Sequence, residues 1–230
     1  MHERGRLLLW GGLVSPLLMI LVGGALAWLR LGGAPAWWAP VIWTRVTWAP
    51  VVAGASLGGT SLLAKLWPAF GRRLKQSGTS VSSEALAQVG YPVMLVVVAG
   101  AALGEEILFR GGVQPWLGPV VAALLFGLSH GGWRPREMWA YVLAATFSGL
   151  LFGWFMIWAG TVWAPVFAHL FHNMAAVLLL GKKVDVTWQG GWPRVRLVPD
   201  PDEVQSVVEG APDAECPPLA TSEVENERDS

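Results

Sequence analysis

The sequence predicts an all-α fold, a polytopic membrane bundle of about six transmembrane helices. Its 230 residues are 53% hydrophobic and only 14% charged, whereas about 25% of the residues in an ordinary soluble domain are charged. The mean hydropathy is +0.47, and the 15 Trp and 28 Gly are typical of helices in lipid. This composition excludes a typical soluble enzyme. We expect the lipid bilayer as a partner and no nucleic acid. The single cysteine, Cys216, excludes a disulfide framework and a cysteine-cluster metal site.

Uncharged stretches locate the helices, because about 20 apolar helical residues cross the hydrocarbon core. Four such stretches cover residues 7–29, 46–64, 85–104 and 111–133. A fifth, residues 138–181, is twice as long as one helix needs. It is expected to fold back at Ala159-Gly160-Thr161, since Gly interrupts helices and Pro165 follows. Six spans result.

Basic residues orient the bundle. Residues 1–180 contain eleven Lys or Arg and five Asp or Glu. Residues 181–230 contain five Lys or Arg and eleven Asp or Glu. The positive-inside rule then predicts a multi-pass protein of the plasma (inner) membrane with both termini in the cytoplasm, and only Arg30 and Arg45 outside. An alternative takes residues 1–27 as a cleaved signal peptide ending in Ala25-Leu26-Ala27. The bases placed in the cytoplasm are Arg4, Arg6, Lys65, Arg72, Arg73, Lys75, Arg134, Arg136, Lys182 and Lys183.

The chain changes character after Lys183. Residues 1–183 are predicted to form the membrane domain, and residues 184–230 an acidic, largely disordered cytoplasmic tail. Within the tail, residues 184–198 favour a short hairpin, because Gln189-Gly190-Gly191 separates two Val-rich segments. From Asp200 onward, few apolar residues remain to bury, which predicts disorder.

Two adjacent glutamates follow the third apolar stretch, where a charge is costly and usually faces the interior of a bundle. Arg110 stands four residues after Glu106, so one helix face brings the two together as an ion pair. Adjacent helical residues diverge by about 100°, which points Glu105 elsewhere. An ion pair that only holds helices together explains Glu106 and Arg110, but it leaves Glu105 available as a general base.

Three of the four histidines also fall within the apolar stretches. His130 closes the fourth stretch and shares a helix face with Phe126, four residues earlier. In the last stretch, His169 and Asn173 share a face by the same spacing, and His172 lies off that face. A single buried histidine is usually structural, so the combination with Glu105 is what favours a site.

These residues form three motifs in order. The segment from Gly104 to Gly111 resembles the EExxxR motif of the CPBP intramembrane proteases, the family of CAAX prenyl endopeptidases and bacterial abortive-infection proteins. Phe126 to His130 resembles its FxxxH motif, and His169 to Asn173 its HxxxN motif. The resemblance covers about residues 85–180 and implies an active site inside the membrane.

The resemblance also implies a mechanism, the endoproteolytic hydrolysis of a peptide bond in or near the membrane. Glu105 would be the base that activates a water, with His130 as its partner. His169 and Asn173 would donate hydrogen bonds to the tetrahedral oxyanion, and Arg110 would hold Glu106.

The family has also been described as metalloproteases, which leaves zinc open as a cofactor. Glu105, His130 and His169 would form a His₂Glu zinc site with water as the fourth ligand. However, an HExxH helix is absent, and Arg110 would occupy Glu106, the remaining candidate base. We favour a glutamate-activated water.

Two other functions stay open: a proton-coupled carrier with a Glu/His relay, and a non-catalytic immunity or scaffold protein. For a protease we expect a membrane-anchored or exported protein as substrate, in a bacterium, since the chain is rich in Arg, Ala, Gly and Trp and has only four Lys. Counting helical rise from the predicted span ends puts Glu105, His130 and His169 between the middle and the outer third of the bilayer. A water-filled pocket that opens outward is therefore expected.

Overall fold

The computed structural model describes residues 3–32, 43–131, 134–181, 184–189 and 192–197, all within a compact unit that extends to Leu197. The expected disorder from Asp200 onward lies outside the described residues. Helices make up almost all of the described part: α1 (Glu3–Leu31), α2 (Trp43–Val46), α3 (Ala49–Leu66), α4 (Pro68–Glu106), a π-helix (Ile107–Val113), α5 (Gln114–Ser129), α6 (Pro135–Ala159) and α7 (Trp163–Gly181). Two antiparallel strands follow, β1 (Val184–Gln189) and β2 (Trp192–Leu197), as expected for the hairpin.

The surface of the bundle is that of a membrane protein. Large apolar side chains on the helices are exposed, among them Leu21 (68%), Leu29 (72%) and Leu66 (74%), which only a lipid environment or a partner would cover. Within the part of the chain that the structure describes, three stretches are long and apolar enough to cross a bilayer: Gly12–Arg30, Trp43–Leu66 and Arg136–Ala159. They correspond to the first, second and fifth predicted spans. The predicted all-α membrane fold is confirmed.

Two glycines with positive φ change the direction of the chain, one within α5 and one at the end of α6. Gly160 has φ 72° and ψ 16° and ends α6 in the left-handed conformation, which glycine adopts at little cost. The expected reversal at Ala159-Gly160-Thr161 is confirmed. Gly118, with φ 77° and ψ 169°, kinks α5 just before Pro119.

The third span differs from the expectation. Instead of a helix over residues 85–104, α4 runs for 39 residues from Pro68. Proline is well accommodated in a first helical turn, and Arg, Leu, Lys and Gln favour helix in the residues that follow. The backbone then passes into the π-helix without a break, so Glu105 and Glu106 lie in the last turn of α4 and Arg110 lies in the π-helix.

Helix α1 packs closely against α4 and the π-helix. A Cβ atom at Gly23 would lie 2.6 Å from the carbonyl oxygen of Ile107, and one at Gly112 would lie 2.9 Å from the Cα atom of Gly23. A Cβ atom at Gly104 would lie 2.7 Å from the Cα atom of Pro16. Small residues allow backbones in a membrane bundle to approach this closely. Helix α1 therefore supports the backbone that carries Arg110.

Helices α3, α6 and α7 form the other half of the bundle. Their buried cluster combines Phe152 and Phe155 with several alanines, which again permits a close approach of the helices. Ser56 of α3 donates a hydrogen bond of 2.7 Å to the buried hydroxyl of Ser148 on α6.

The contact between α1 and the π-helix predicts different effects for two glycine substitutions. Gly23→Ala should lower the melting temperature, because the new methyl group overlaps the backbone at Ile107 and overpacking costs about 1–3 kcal/mol. Gly54→Ala is the control, since a Cβ atom there meets nothing within 4 Å and alanine favours helix. Thermal unfolding in detergent is the measurement. A Gly23→Ala protein as stable as Gly54→Ala would contradict this packing.

Candidate active site

A buried carboxylate with two partners lies at the centre of the bundle. Arg110 Nε lies 3.1 Å from Glu106 Oε2, and both side chains are 0% exposed. His169 Nδ1 lies 2.9 Å from Glu106 Oε1. The expected i,i+4 ion pair is thus present, and a histidine 63 residues away completes it. Because a carboxylate paired with arginine only accepts, His169 Nδ1 carries the proton in this bond.

Arg110 lies beneath the second motif. Its Cζ atom is 4.7 Å from the centre of the Phe126 ring, within the range of a cation–π interaction. Phe126 in turn contacts the rings of His130 and His169, at centroid distances of 4.5 and 5.8 Å. The phenylalanine of the FxxxH motif therefore contacts Arg110 and packs against both histidine rings.

His130 is oriented by its own helix. Its Nδ1 atom lies 2.8 Å from the carbonyl oxygen of Phe126, which only accepts, so Nδ1 is the donor and Nε2 of the neutral ring carries a lone pair. Nε2 faces Glu105, at 3.6 Å from Oε2. Glu105 and His130 are also more accessible than Glu106, at 16% and 20% exposed side chain.

Three acceptor atoms therefore converge. Glu105 Oε2 lies 3.6 Å from His130 Nε2 and 3.9 Å from His169 Nε2, and it is buried with no hydrogen-bond partner among the described residues. With both imidazoles neutral, each of these three atoms offers a lone pair. A donor or a positive charge must lie between them, and water, a shared proton or a cation satisfies that requirement.

The donor set suits zinc in its chemistry. Two imidazoles and one carboxylate are common catalytic zinc ligands, and the bond from His169 Nδ1 to Glu106 is the kind of outer contact that orients a zinc-bound histidine. The candidate ligand atoms lie farther apart than in a zinc site. Two ligands of a tetrahedral ion with bonds of about 2.1 Å lie about 3.4 Å apart, whereas the distances from Glu105 Oε2 to the two Nε2 atoms are 3.6 and 3.9 Å. As arranged here, the described residues contain no group of three such side chains that could hold a metal ion.

A cavity of about 280 Å³ adjoins this centre and is lined by His130, His169 and Asn173. Asn173 and His169 therefore meet the same space, as their spacing predicts. Other polar groups there escaped the sequence analysis. His172, placed off the functional face, also lines the cavity, as do Tyr141, Thr60, Ser61 and Ser148. Tyr141 is one of only two tyrosines in the chain, a signal that could have marked it.

The cavity lies near the basic ends of four helices, whereas an outward opening was expected. Its lining residue Ser61 is four residues before Lys65, Leu74 follows Arg73, and Tyr141 is five residues after Arg136. Since a helix rises 1.5 Å per residue, these distances along the axes are about 8 Å or less. His130 caps the end of α5, four residues before Arg134, whereas the depth estimate assumed that the helix continued past it.

The fold and the site define a helical membrane protein with a paired-glutamate and histidine centre. Residues 87–175 match the family model described as type II CAAX prenyl endopeptidase Rce1-like. The match spans all three motifs and confirms the predicted resemblance to the CPBP protease family.

A relative in Bacillus subtilis (strain 168), the uncharacterized protein YpbD, is 31% identical over 78 residues. The alignment covers 34% of this chain and 40% of that protein, so the chain spans less than half the length of this relative. No solved structure matches the chain.

The two glutamates should differ in their effect on stability. Glu106→Gln leaves Arg110 and the His169 Nδ1–H without a carboxylate, and breaking a buried pair costs about 3–5 kcal/mol. Glu105→Gln removes no ion pair with arginine and should unfold close to the parent protein. Melting temperatures in detergent compare the two. Equal melting of both variants would contradict this division.

Proposed function

We propose that this protein is an intramembrane endopeptidase that hydrolyses a peptide bond in or near the membrane. The observation that carries the proposal is the convergence of Glu105 Oε2 with the Nε2 atoms of His130 and His169, beside a cavity inside an apolar bundle. The match of residues 87–175 to the CAAX prenyl endopeptidase model supports it.

A water held between Glu105 and His130 is the proposed nucleophile. Glu105 accepts a proton from this water as its oxygen attacks the carbonyl carbon of the peptide, and His130 Nε2 orients it by accepting its second hydrogen. The tetrahedral intermediate then breaks its carbon–nitrogen bond, and the proton on Glu105 passes to the leaving amine. General acid–base catalysis by one carboxylate accounts for both transfers.

Asn173 and His169 are the proposed donors to the oxyanion. Both line the cavity, and the asparagine amide donates without any change of protonation state. His169 donates through Nε2 only if it enters the cycle as an imidazolium and keeps that proton throughout, because its Nδ1–H is already bonded to Glu106. Losing one oxyanion donor typically reduces the rate about 10²–10³-fold.

Glu106 and Arg110 are positioning residues in this scheme. Glu106 fixes the ring of His169, and Arg110 neutralises Glu106 in a fully buried setting. Both side chains are fully buried, whereas Glu105 is 16% exposed, so neither Glu106 nor Arg110 is expected to touch the substrate.

The geometry also bears on the alternatives. A carrier relay needs titratable groups spaced across the bundle, whereas Glu105, His130 and His169 are gathered around one atom, Glu105 Oε2. A single hydrolytic centre explains that arrangement better. Glu105, His130 and His169 would hold zinc only after closing the distances of 3.6 and 3.9 Å seen here, and the ion would supply Lewis-acid polarisation of the carbonyl group and of water. The substrate proposed is a membrane-anchored or exported protein.

Glu105→Gln should abolish cleavage and leave the bundle folded, because an amide of similar volume cannot accept the proton of water. The membrane proteome of a deletion strain is compared after complementation with the parent gene or the Glu105→Gln gene. We expect substrate fragments only with the parent, and at least a 10²-fold loss of turnover in the variant.

His169→Ala and His172→Ala form a matched pair for the same assay. Both residues line the cavity, but only His169 contacts Glu105 and Glu106, so His169→Ala should lose far more turnover. The same assay with a chelator, with and without added zinc, distinguishes a zinc-dependent mechanism from a metal-free one. Identical proteomes with the parent and the Glu105→Gln genes would overturn the proposed activity.

The position of the cavity predicts access from the basic end of the bundle, which the positive-inside rule assigns to the cytoplasm. Tyr141→Cys in a Cys216→Ser background should react with a membrane-impermeant maleimide in inverted vesicles and not in intact spheroplasts. Arg30→Cys, at the exposed end of α1 that the same rule places outside, is the control for the opposite face. Labelling of Tyr141→Cys from outside would reverse the assigned side.

A further inference from the structure

A second concave surface lies between α3 and α6, separate from the candidate active site. This groove of about 350 Å³ is lined only by apolar side chains, including Trp48, which directly precedes α3, and Trp154 and Trp158 of α6. The three indoles are about half exposed. Both helices belong to candidate membrane spans, so the groove faces the hydrocarbon part of the bilayer and not water.

A cation stands at one end of this groove. Arg45 donates a hydrogen bond of 3.0 Å from one Nη atom to the carbonyl oxygen of Trp158, and its Cζ atom lies 5.8 Å from the centre of the Trp158 ring. These contacts use part of one face and one edge of the guanidinium. No acidic side chain among the described residues pairs with Arg45.

The position of Arg45 needs an explanation other than topology. Most bases of the membrane domain lie at the opposite ends of the helices, where the positive-inside rule accounts for them, and Arg45 is one of two exceptions. An arginine retained at this end, fixed by the backbone of Trp158 and lacking a described acidic partner, has the chemistry of a phosphate ligand.

We propose that this groove binds one anionic phospholipid, with its phosphate on Arg45 and one acyl chain against the three tryptophans. From Trp48 to Ala55, the groove follows α3 for about 10 Å, which accommodates a section of an extended chain. A headgroup without a cationic amine, such as phosphatidylglycerol, fits best, since no carboxylate in the described part of the chain lies beside Arg45 to receive an ammonium group. The inference does not depend on the proposed peptidase activity.

Native mass spectrometry of the full chain in a mild detergent tests the site. Dioleoyl phosphatidylglycerol and dioleoyl phosphatidylcholine are supplied at equal concentration, and bound lipid is counted. We expect the parent protein to retain one phosphatidylglycerol in preference to phosphatidylcholine, and Arg45→Gln to weaken that binding about tenfold, as for the loss of a charge-assisted hydrogen bond. Trp154→Ala should weaken binding of both lipids.

Arg30→Gln is the matched control. Arg30 is also exposed, lies at the end of α1 and stands 5.8 Å from the ring of Trp116, but neither residue lines the groove. This variant should bind phosphatidylglycerol like the parent. Equal losses in Arg30→Gln and Arg45→Gln would indicate general surface charge and overturn the proposal.

Three further outcomes would also overturn it. They are equal binding of the two lipids by the parent, displacement of phosphatidylglycerol by inorganic phosphate alone, and a change of oligomeric state in Trp154→Ala that identifies the groove as a contact between two copies of the chain. Melting temperatures of all variants confirm that each one is folded.

Discussion

The fully buried carboxylate of Glu106 is the constraint on which the rest of the site depends. A charge inside an apolar bundle is tolerated only if it is paired and hydrogen-bonded. Arg110 and His169 meet this requirement from the π-helix and from α7, so Glu106 ties the continuous segment of α4 and the π-helix to a residue 63 positions away. Once His169 is fixed by Nδ1, its Nε2 atom can face only the space that Glu105 and His130 share. The three converging atoms are therefore positioned with the help of a residue that is itself fully buried.

The π-helix gives this arrangement its backbone. π-helical turns are rare in proteins, but those that occur are often found at functional sites. Here the π-helix begins directly after the two glutamates. Gly112 lies in this turn and Gly104 lies just before it. At both positions α1 approaches so closely that a Cβ atom would overlap its backbone. A helix without any of the three motifs thereby keeps the motif residues in position, and its packing belongs to the site as much as the motifs do.

The sequence predicted what depends on local spacing. The pairing of Glu106 with Arg110 follows from the i,i+4 rule. The reversal at Gly160 follows because an apolar stretch too long for one helix is interrupted by Gly and then Pro. The bond between Glu106 and His169 was missed, because no local pattern encodes a contact over 63 residues. Tyr141 and Thr60 were missed, and His172 was placed off the shared face, for the same reason, since only the packing of α3, α6 and α7 brings them to one cavity. The expected outward opening rested on predicted helix ends, and α5 ends at Ser129, four residues before the predicted end of that span.

The two ends of the α3–α6 pair have different chemistry, and the charge distribution explains the difference. At the end that carries Lys65 and Arg136, polar groups of both helices line the cavity beside the histidines. At the other end the same helices present only apolar side chains to the groove, with Arg45 at its edge. Bases at the first end orient the protein in the membrane, so they need no ligand to explain them. Arg45 opposes that orientation, and a ligand at its guanidinium is therefore the simpler reason for its presence.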